Sequence, residues 1–227
     1  MKYLFVVAHP DDEVLGAGGM IYDLVKKKND VYVCFMCSNA EARKNVLNKK
    51  TIQEQAIDAL KSLGIEKKNL MFGTFPNIKL NVVEHLLVVQ FIEEALRKFR
   101  PDVVVTHCKN DINIDHSITS ECCDEAVRLF QRNDKEKEIK KYMYMEVLSS
   151  TDWNNFEFFT PNYYYQIKED GVEAKIKALS YYDGALRDYP HPRSRESIKS
   201  LATIRGSQVK LNYAEAFKIA FERDNHE

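Results

Sequence analysis

Short apolar runs alternate with longer segments of helical periodicity along the first 130 residues. Runs rich in β-branched and aromatic residues, which are typical of buried strands, predict strands over residues 2–8, 31–36, 70–73 and 102–106. Apolar residues that recur every three or four positions predict helices over residues 14–28, 52–63, 81–99 and 117–131. This alternation predicts an α/β fold with a mostly parallel sheet and helices on both faces.

Local signals mark several boundaries of these elements. Gly64 is well placed to end the second helix, and the run from Asn81 to Glu84 resembles a capping box that would open the third. Farther along, the pattern predicts strands over 142–147 and 162–167 and helices over 171–187, 194–204 and 212–222. No internal repeat or flexible linker interrupts the chain, so we expect one domain over residues 1–227.

The composition narrows the class of partners. Of 227 residues, 44% are hydrophobic and 30% are charged, and the formal net charge is −1, which gives no reason to expect nucleic acid or an anionic membrane as a partner. No apolar run approaches the roughly 18 residues of a membrane span, and the N-terminal run is too short for a signal peptide. The odd number of five cysteines suits a reducing compartment, so we expect a cytoplasmic protein. The sequence does not determine the oligomeric state, and a homo-oligomer stays among the alternatives.

Two polar segments carry the candidate chemistry. His9, Asp11 and Asp12 directly follow the first predicted strand, and the segment from His107 to His116 follows the strand at 102–106. The carboxyl ends of parallel strands share one edge of a sheet, so these segments are expected to lie close together. Catalytic zinc takes three protein ligands of this kind and keeps one position for water. We therefore expect His9, Asp12 and His116 to bind a divalent metal.

Asp11 is the candidate general base. Neighbouring side chains in a tight turn point in different directions, so Asp11 is left beside the open position, where a carboxylate can take a proton from water activated by the metal. Each residue also has a structural alternative. Asp11 or Asp12 alone could cap a helix, and Asp111 or Asp115 could cap the helix after His116.

The residues also resemble a known family. The run from Ala8 to Gly16 with Gly18-Gly19, followed by Asp115-His116, resembles the LmbE/PIG-L family of zinc-dependent N-deacetylases. The likeness extends through residues 146–151, 193–194, 205–206 and 213–217. It implies a Rossmann-like fold and hydrolysis of an N-acetyl group on a glucosamine-type sugar or its conjugate. It also implies Zn²⁺ as cofactor, although Fe²⁺ suits the same ligands.

Carried over to this chain, the resemblance gives His9, Asp12 and His116 as metal ligands and Asp11 as the base, and Asp115 is grouped with the catalytic residues. In one departure, Asn113 stands where many members have a histidine. Asn113 could donate to the oxyanion but cannot act as an acid, and His107 is a candidate substitute.

The candidate substrate-binding residues are Arg43, Asn39, His107 and Trp153. The family often has an arginine and a glutamate where this chain has Thr51 and Gln55, so Arg43 is a candidate for the cation that faces the sugar. Trp153 lies in a polar loop and is expected at the rim of the pocket.

Other functions remain open from the sequence. Gly16, Gly18 and Gly19 suggest a nucleotide-binding oxidoreductase, but they lie inside the predicted helix, whereas two aspartates occupy the turn that a diphosphate would need. These glycines are better explained by close packing of the helix on the sheet. A carbohydrate-binding or scaffold protein that kept the metal site but lost catalysis is one alternative, and a hydrolase of another amide is a second.

Overall fold

A computed structural model describes residues 1–38, 50–133, 135–154 and 157–224. Its centre is a seven-stranded sheet with the strand order β3-β2-β1-β4-β5-β7-β6. The strands are β1 (Lys2–Val7), β2 (Asp30–Phe35), β3 (Leu70–Phe72), β4 (Val103–His107), β5 (Lys141–Met145), β6 (Tyr163–Ile167) and β7 (Tyr213–Glu222). The α-helices are α1 (Asp12–Lys26), α2 (Ile52–Ser62), α3 (His85–Phe99), α4 (Ile114–Gln131), α5 (Glu169–Leu179) and α6 (Arg195–Ser207). Short 3₁₀ turns lie at Lys67–Asn69, Leu80–Val82 and Thr151–Trp153.

The first five strands are parallel, and β7 and β6 complete the sheet with antiparallel pairings, as predicted for a mostly parallel sheet. Strand β1 lies between β2 and β4, and Phe5 pairs with Val105 in the register of β1 with β4. The carboxyl ends of β1 and β4 therefore lie side by side. This arrangement brings the two polar segments of the sequence to the same edge of the sheet.

Helices cover both faces of the sheet, and successive side chains of β1 pack alternately against the helices of one face and of the other. Phe5 and Val7 pack in a core with residues of α1, α2, α5 and α6, whereas Leu4 and Val6 pack in a second core with residues of α3 and α4. Successive side chains of a strand point to opposite faces, so a strand buried on both sides is apolar throughout. The α/β class predicted from the sequence is confirmed.

Two predicted elements differ in the structure. The expected helix at 212–222 is β7, which pairs with β5 and β6. The expected capping box at Asn81 is absent because residues 80–82 form a 3₁₀ turn and α3 begins at His85. The N–H of Leu80, within that turn, donates to Asp115 Oδ1 at 3.0 Å. Gly64 does follow the end of α2, with a φ of +90°.

Helix α1 is kinked at Ala17, whose φ and ψ are −143° and 18°. Beyond the kink, the N–H groups of Gly19 and Met20 donate to the carboxylate of Glu215 on β7 at 3.0 and 2.7 Å. Lys175 on α5 donates to the same carboxylate at 2.8 Å, which forms a buried ion pair. Glu215 thus caps the second half of α1, where free N–H groups favour an anion.

The glycines of α1 allow this close packing. A Cβ at Gly16 would lie 2.4 Å from Met145 Sδ, and one at Gly19 would lie 2.9 Å from Ile167 Cδ1. The glycine-rich run therefore permits contact between α1 and the strands, which agrees with the packing explanation and not with phosphate binding.

The five cysteines are buried free thiols. In the part of the chain that the structure describes, no helix has both the length and the apolar character needed to cross a bilayer.

We expect Glu215→Ala to lower the free energy of unfolding by about 3–5 kcal/mol, because it leaves Lys175 buried without its partner. Glu222→Ala is the matched control on the same strand, since Glu222 pairs with Lys141 and its side chain is 51% exposed. The control should cost no more than about 1 kcal/mol. Urea unfolding followed by circular dichroism measures both values, and equal losses in the two variants would contradict the prediction.

Candidate metal centre and active site

The loop after β1 turns sharply, so that His9 and Asp12 face the same side. The N–H of Ala8 donates to His107 Nε2 at 2.8 Å, which ties the end of β1 to the end of β4. Asp11 has φ and ψ of 115° and −26°, in the left-handed region, and α1 begins at Asp12. The N–H of His9 then donates to Asp12 Oδ2 at 2.9 Å. One tight turn therefore places an imidazole beside a carboxylate.

Three side-chain atoms converge at this point: His9 Nδ1, Asp12 Oδ2 and His116 Nε2. Each of the three distances between them is 3.2 Å. We call these three atoms the donor triangle. Zinc with ligands at about 2.1 Å in tetrahedral geometry holds them about 3.4 Å apart, so the residues fit such an ion. The structure brings together the three residues that the sequence predicts as ligands, and it also places His9, Cys37 and Asp115 close enough to form a second candidate group.

A carboxylate lies behind each imidazole of the donor triangle. His9 Nε2 is 2.9 Å from Asp115 Oδ2, and His116 Nδ1 is 3.1 Å from Asp111 Oδ2. Each carboxylate accepts a hydrogen bond from one ring nitrogen. The other nitrogen of that ring therefore faces the donor triangle. Such carboxylate–histidine pairs orient metal ligands and make them more basic.

Asp115 is held by backbone N–H groups of the loop between β3 and α3. Its Oδ1 accepts from the N–H of Leu80 at 3.0 Å, and its Oδ2 accepts from the N–H of Ile78. With His9 also bound, both carboxylate oxygens are engaged. Asp115 therefore lies behind the His9 ring and outside the donor triangle.

Asp111 is fixed by hydroxyl groups of the segment that follows β5. Its Oδ2 accepts from Ser150 Oγ at 2.9 Å and from Thr151 Oγ1 at 2.6 Å. Its Oδ1 accepts from the N–H of Asn113 at 2.8 Å. These bonds hold the carboxylate that orients His116.

The charges in this cluster suit a divalent cation. Burial opposes ionisation of Asp12, but the imidazoles around it hold its pKa well below its usual range. Burial also disfavours the charged rings, yet hydrogen bonds to Asp115 and Asp12 raise the pKa of His9 to about 9, and the charges of Asp12 and Asp111 raise that of His116 to about 10. The carboxylates of Asp12, Asp111 and Asp115 thus surround the two rings with negative charge, which favours a cation at the donor triangle.

His107, a candidate substrate contact from the sequence, is enclosed by the protein in the structure. Its side chain is 0% exposed, and its ring stacks on His116 with centroids 4.0 Å apart. Burial and the nearby charge of His116 lower its pKa to about 3, so it is neutral. Because Nε2 accepts from the N–H of Ala8, the proton lies on Nδ1, which has no hydrogen-bond partner among the described residues.

Asp11 lies next to the donor triangle in sequence and contacts the C-terminal third of the chain. It is 3% exposed, and Arg193 Nη1, from the segment before α6, lies 3.4 Å from its Oδ2. Its N–H donates to Glu13 Oε2 at 3.1 Å. Glu13 Oε1 accepts from the hydroxyl of Tyr182 at 2.5 Å. Burial raises the pKa of Glu13 to about 8, although the Tyr182 bond acts in the opposite direction.

The remaining candidates from the sequence lie at three places. Asn113 is the N-cap of α4, and its Oδ1 accepts from the N–H of Asp115 at 3.0 Å. Trp153 is 60% exposed at the end of the 3₁₀ turn that begins with Thr151, so it is available at the surface beside the Asp111 segment. Arg43 and Asn39 lie outside the described residues.

The sequence-based reasoning assigns no supporting role at the site to Asp111, Glu13 and Tyr182, and it leaves open whether Arg193 lines the pocket or pairs with a carboxylate. Asp111 is interpreted there only as a helix cap, although it lies in the same polar segment as His116. Glu13 belongs to the N-terminal motif, which was a usable signal. The contacts of Tyr182 and Arg193 with this motif span 169 and 182 residues and depend on how the last third of the chain folds back.

Comparison with protein families finds one that matches the N-terminal half. The family model described as PIG-L, GlcNAc-PI de-N-acetylase, matches residues 4–127, which is more than half of the chain. The matched segment contains the three residues of the donor triangle, as well as Asp11, Asp111 and Asp115.

Solved structures with this fold include proteins of more than one named activity. A conserved protein from Thermus thermophilus has a TM-score of 0.78 and 20% identity, with 99% of this chain and 96% of that one covered. The N,N'-diacetylchitobiose deacetylase of Pyrococcus horikoshii has a TM-score of 0.77 and 20% identity, with 96% and 83% covered. The 4-carboxy-2-hydroxymuconate hydratase of Pseudomonas putida has a TM-score of 0.77 and 20% identity, with 100% and 99% covered. At 20% sequence identity, the similarity to these three structures establishes the fold alone.

We expect Asp111→Asn to weaken metal binding by about 10–100-fold, the usual scale for loss of a carboxylate behind a ligand histidine. His85→Ala is the control, because His85 pairs with Glu125 on the surface and its side chain is 48% exposed. Competition with a chromophoric zinc chelator gives both affinities. Unchanged affinity in Asp111→Asn would contradict the orienting role.

Proposed function

This chain belongs to the PIG-L family, and we propose that it is a metal-dependent hydrolase that removes the N-acetyl group from an N-acetylglucosamine-type sugar or sugar conjugate. The donor triangle is the observation that carries the proposal. Its three atoms lie 3.2 Å from one another, and a carboxylate supports each imidazole. Asp11 follows in the same turn as an additional carboxylate that this triangle does not use.

His9, Asp12 and His116 would hold the metal, with zinc as the proposed ion and iron(II) suited to the same ligands. When bound, such an ion supplies a Lewis acid that lowers the pKa of water and polarises the amide carbonyl. Asp115 and Asp111 act through the two histidines, so we assign both to positioning. This differs from the catalytic role that the sequence suggests for Asp115.

Asp11 supplies the proton transfers in this proposal. Its carboxylate accepts a proton from the attacking water, whose oxygen adds to the amide carbon. The C–N bond then breaks, and Asp11 returns the proton to the amine nitrogen as acetic acid and the free amine form; the acid then ionises to acetate in neutral solution. Asn113 has no ionisable proton, so it cannot protonate the leaving amine. The Asp11 carboxylate therefore both takes up the proton and returns it. Nδ2 of Asn113 is the proposed donor to the developing oxyanion.

The substrate class rests on the family and on the fold neighbour that acts on diacetylchitobiose. An exposed indole such as that of Trp153 suits the apolar face of a sugar ring. We propose Arg43 and Asn39 as contacts of the sugar hydroxyls from the segment after β2. Arg193, whose guanidinium lies 3.4 Å from Asp11, would help to orient that carboxylate.

A substrate screen tests the activity. Protein loaded with zinc or iron(II) is incubated with N-acetylglucosamine, diacetylchitobiose and N-acetylglucosaminides with apolar aglycones, and released acetate is measured. We expect release that requires the metal. Sugar binding by calorimetry without any release would instead support the carbohydrate-binding alternative, and release from other N-acetylated amines alone would move the substrate away from sugars.

We expect Asp11→Asn to keep one metal ion per chain and to lose at least about 10²-fold in kcat, the usual scale for loss of a general base. Asp152→Asn is the control, since it removes an exposed carboxylate from the 3₁₀ turn near the site. Acetate release and metal content are measured for both. Near-full turnover by Asp11→Asn would exclude it as the base.

A further inference from the structure

We propose that Glu13 and Tyr182 form a positioning pair that holds the backbone of Asp11 in its left-handed conformation and so aims the Asp11 carboxylate at the reacting water. The proposal rests on the function proposed above, in which Asp11 is the base. It assigns to Glu13 a role distinct from those of the adjacent aspartates, and it gives Tyr182, 169 residues away, a part in the same site.

Asp11 needs such support because of its backbone. Its φ of 115° lies in a region that residues other than glycine rarely adopt, and such strain persists only where the surroundings enforce it. The same turn must present Asp12 to the metal and keep Asp11 off it. A relaxed φ at residue 11 would redirect both side chains, so the conformation is tied to the chemistry of the turn.

The contact that enforces it is a hydrogen bond from the N–H of Asp11 to Glu13 Oε2, at 3.1 Å. Water does not compete for this bond, since Asp11 is 3% and Glu13 0% exposed. Glu13 lies in the first turn of α1 and folds back over the loop that precedes it. An N–H at this position would otherwise be one of the unpaired donors of a helix start.

Tyr182 fixes Glu13 from the opposite side. Its hydroxyl donates to Glu13 Oε1 at 2.5 Å, and the residue is 2% exposed beyond the end of α5. With one oxygen held by Tyr182, the carboxyl group of Glu13 is kept in place against the N–H of Asp11. Both oxygens are thereby engaged inside the protein, so Glu13 does not touch substrate, and its effect must pass through Asp11.

This role predicts a particular kinetic signature. Displacing a catalytic group by about 1 Å can cost about 10²-fold in rate, so Glu13→Ala should lower kcat by about that factor. Tyr182→Phe keeps the ring but removes the hydroxyl, and we expect a loss of about tenfold. KM and the metal content should stay near the wild-type values. Glu13→Gln should restore most of kcat, because its amide can still accept from Asp11 and donate to the Tyr182 oxygen.

Tyr142→Phe is the matched control for a buried tyrosine. Tyr142 is 3% exposed, and its hydroxyl donates to Asp124 at 2.6 Å in the other core, near the start of β5. It should lose stability to a degree similar to Tyr182→Phe but keep kcat. Equal loss of kcat in the two variants, or none in Tyr182→Phe and Glu13→Ala, would overturn the proposal.

A second measurement does not depend on turnover. In protein labelled with ¹⁵N-aspartate, the amide proton of Asp11 should move upfield in Glu13→Ala, remain near its wild-type position in Glu13→Gln, and not move in Tyr142→Phe. An unmoved signal in Glu13→Ala refutes the pair even if acetate release falls. If the wild-type chain releases no acetate, the proposed hydrolase fails, while the amide shift still decides whether Glu13 holds the turn. If Glu13→Ala does not fold, Tyr182→Phe and Glu13→Gln carry the test.

Discussion

The parallel pairing of β1 with β4 is the constraint on which the site depends. His9 and His116 are 107 residues apart, and they meet because the strands that precede them are hydrogen-bonded neighbours with their carboxyl ends at one edge. The bond from the N–H of Ala8 to His107 continues this pairing past the last residue of β1. A shift of one residue in the register would turn every side chain of β1 to the opposite core and move the loop that carries His9.

Residues near and beyond position 150 hold the candidate site residues that the first half of the chain provides. The family match ends at residue 127, yet Ser150 and Thr151 hold the carboxylate of Asp111. Arg193 lies against Asp11. Strand β7, through Glu215, caps the helix that begins at Asp12. The chain beyond the matched segment is therefore part of the site, since the turn after β1 is held from that side.

How much the sequence predicts depends on whether a signal is local. Apolar strands bounded by polar loops are local, and all four predicted in the first half are present. Strand β7 carries alanine, glutamate and lysine, which favour a helix, but pairing with β5 and β6 decides its structure. The capping box at Asn81 is lost because the N–H of Leu80 donates to Asp115, a partner 35 residues away. These errors arise where a tertiary partner overrides a local preference.

The three histidines at this edge show why residue type and position alone do not assign a role. His9 and His116 each have a carboxylate behind the ring, which fixes one proton and frees the opposite nitrogen for a cation. His107 follows its strand as closely, but its Nε2 accepts a backbone N–H and its ring is fully buried. The Nε2 lone pair of His107 is therefore used inside the protein, unlike the nitrogens of His9 and His116 that face the donor triangle. Asp115 and Asp111 thus distinguish the two imidazoles that face the donor triangle from the third, and the folds of the loops at 78–80 and 150–151 decide where those carboxylates lie.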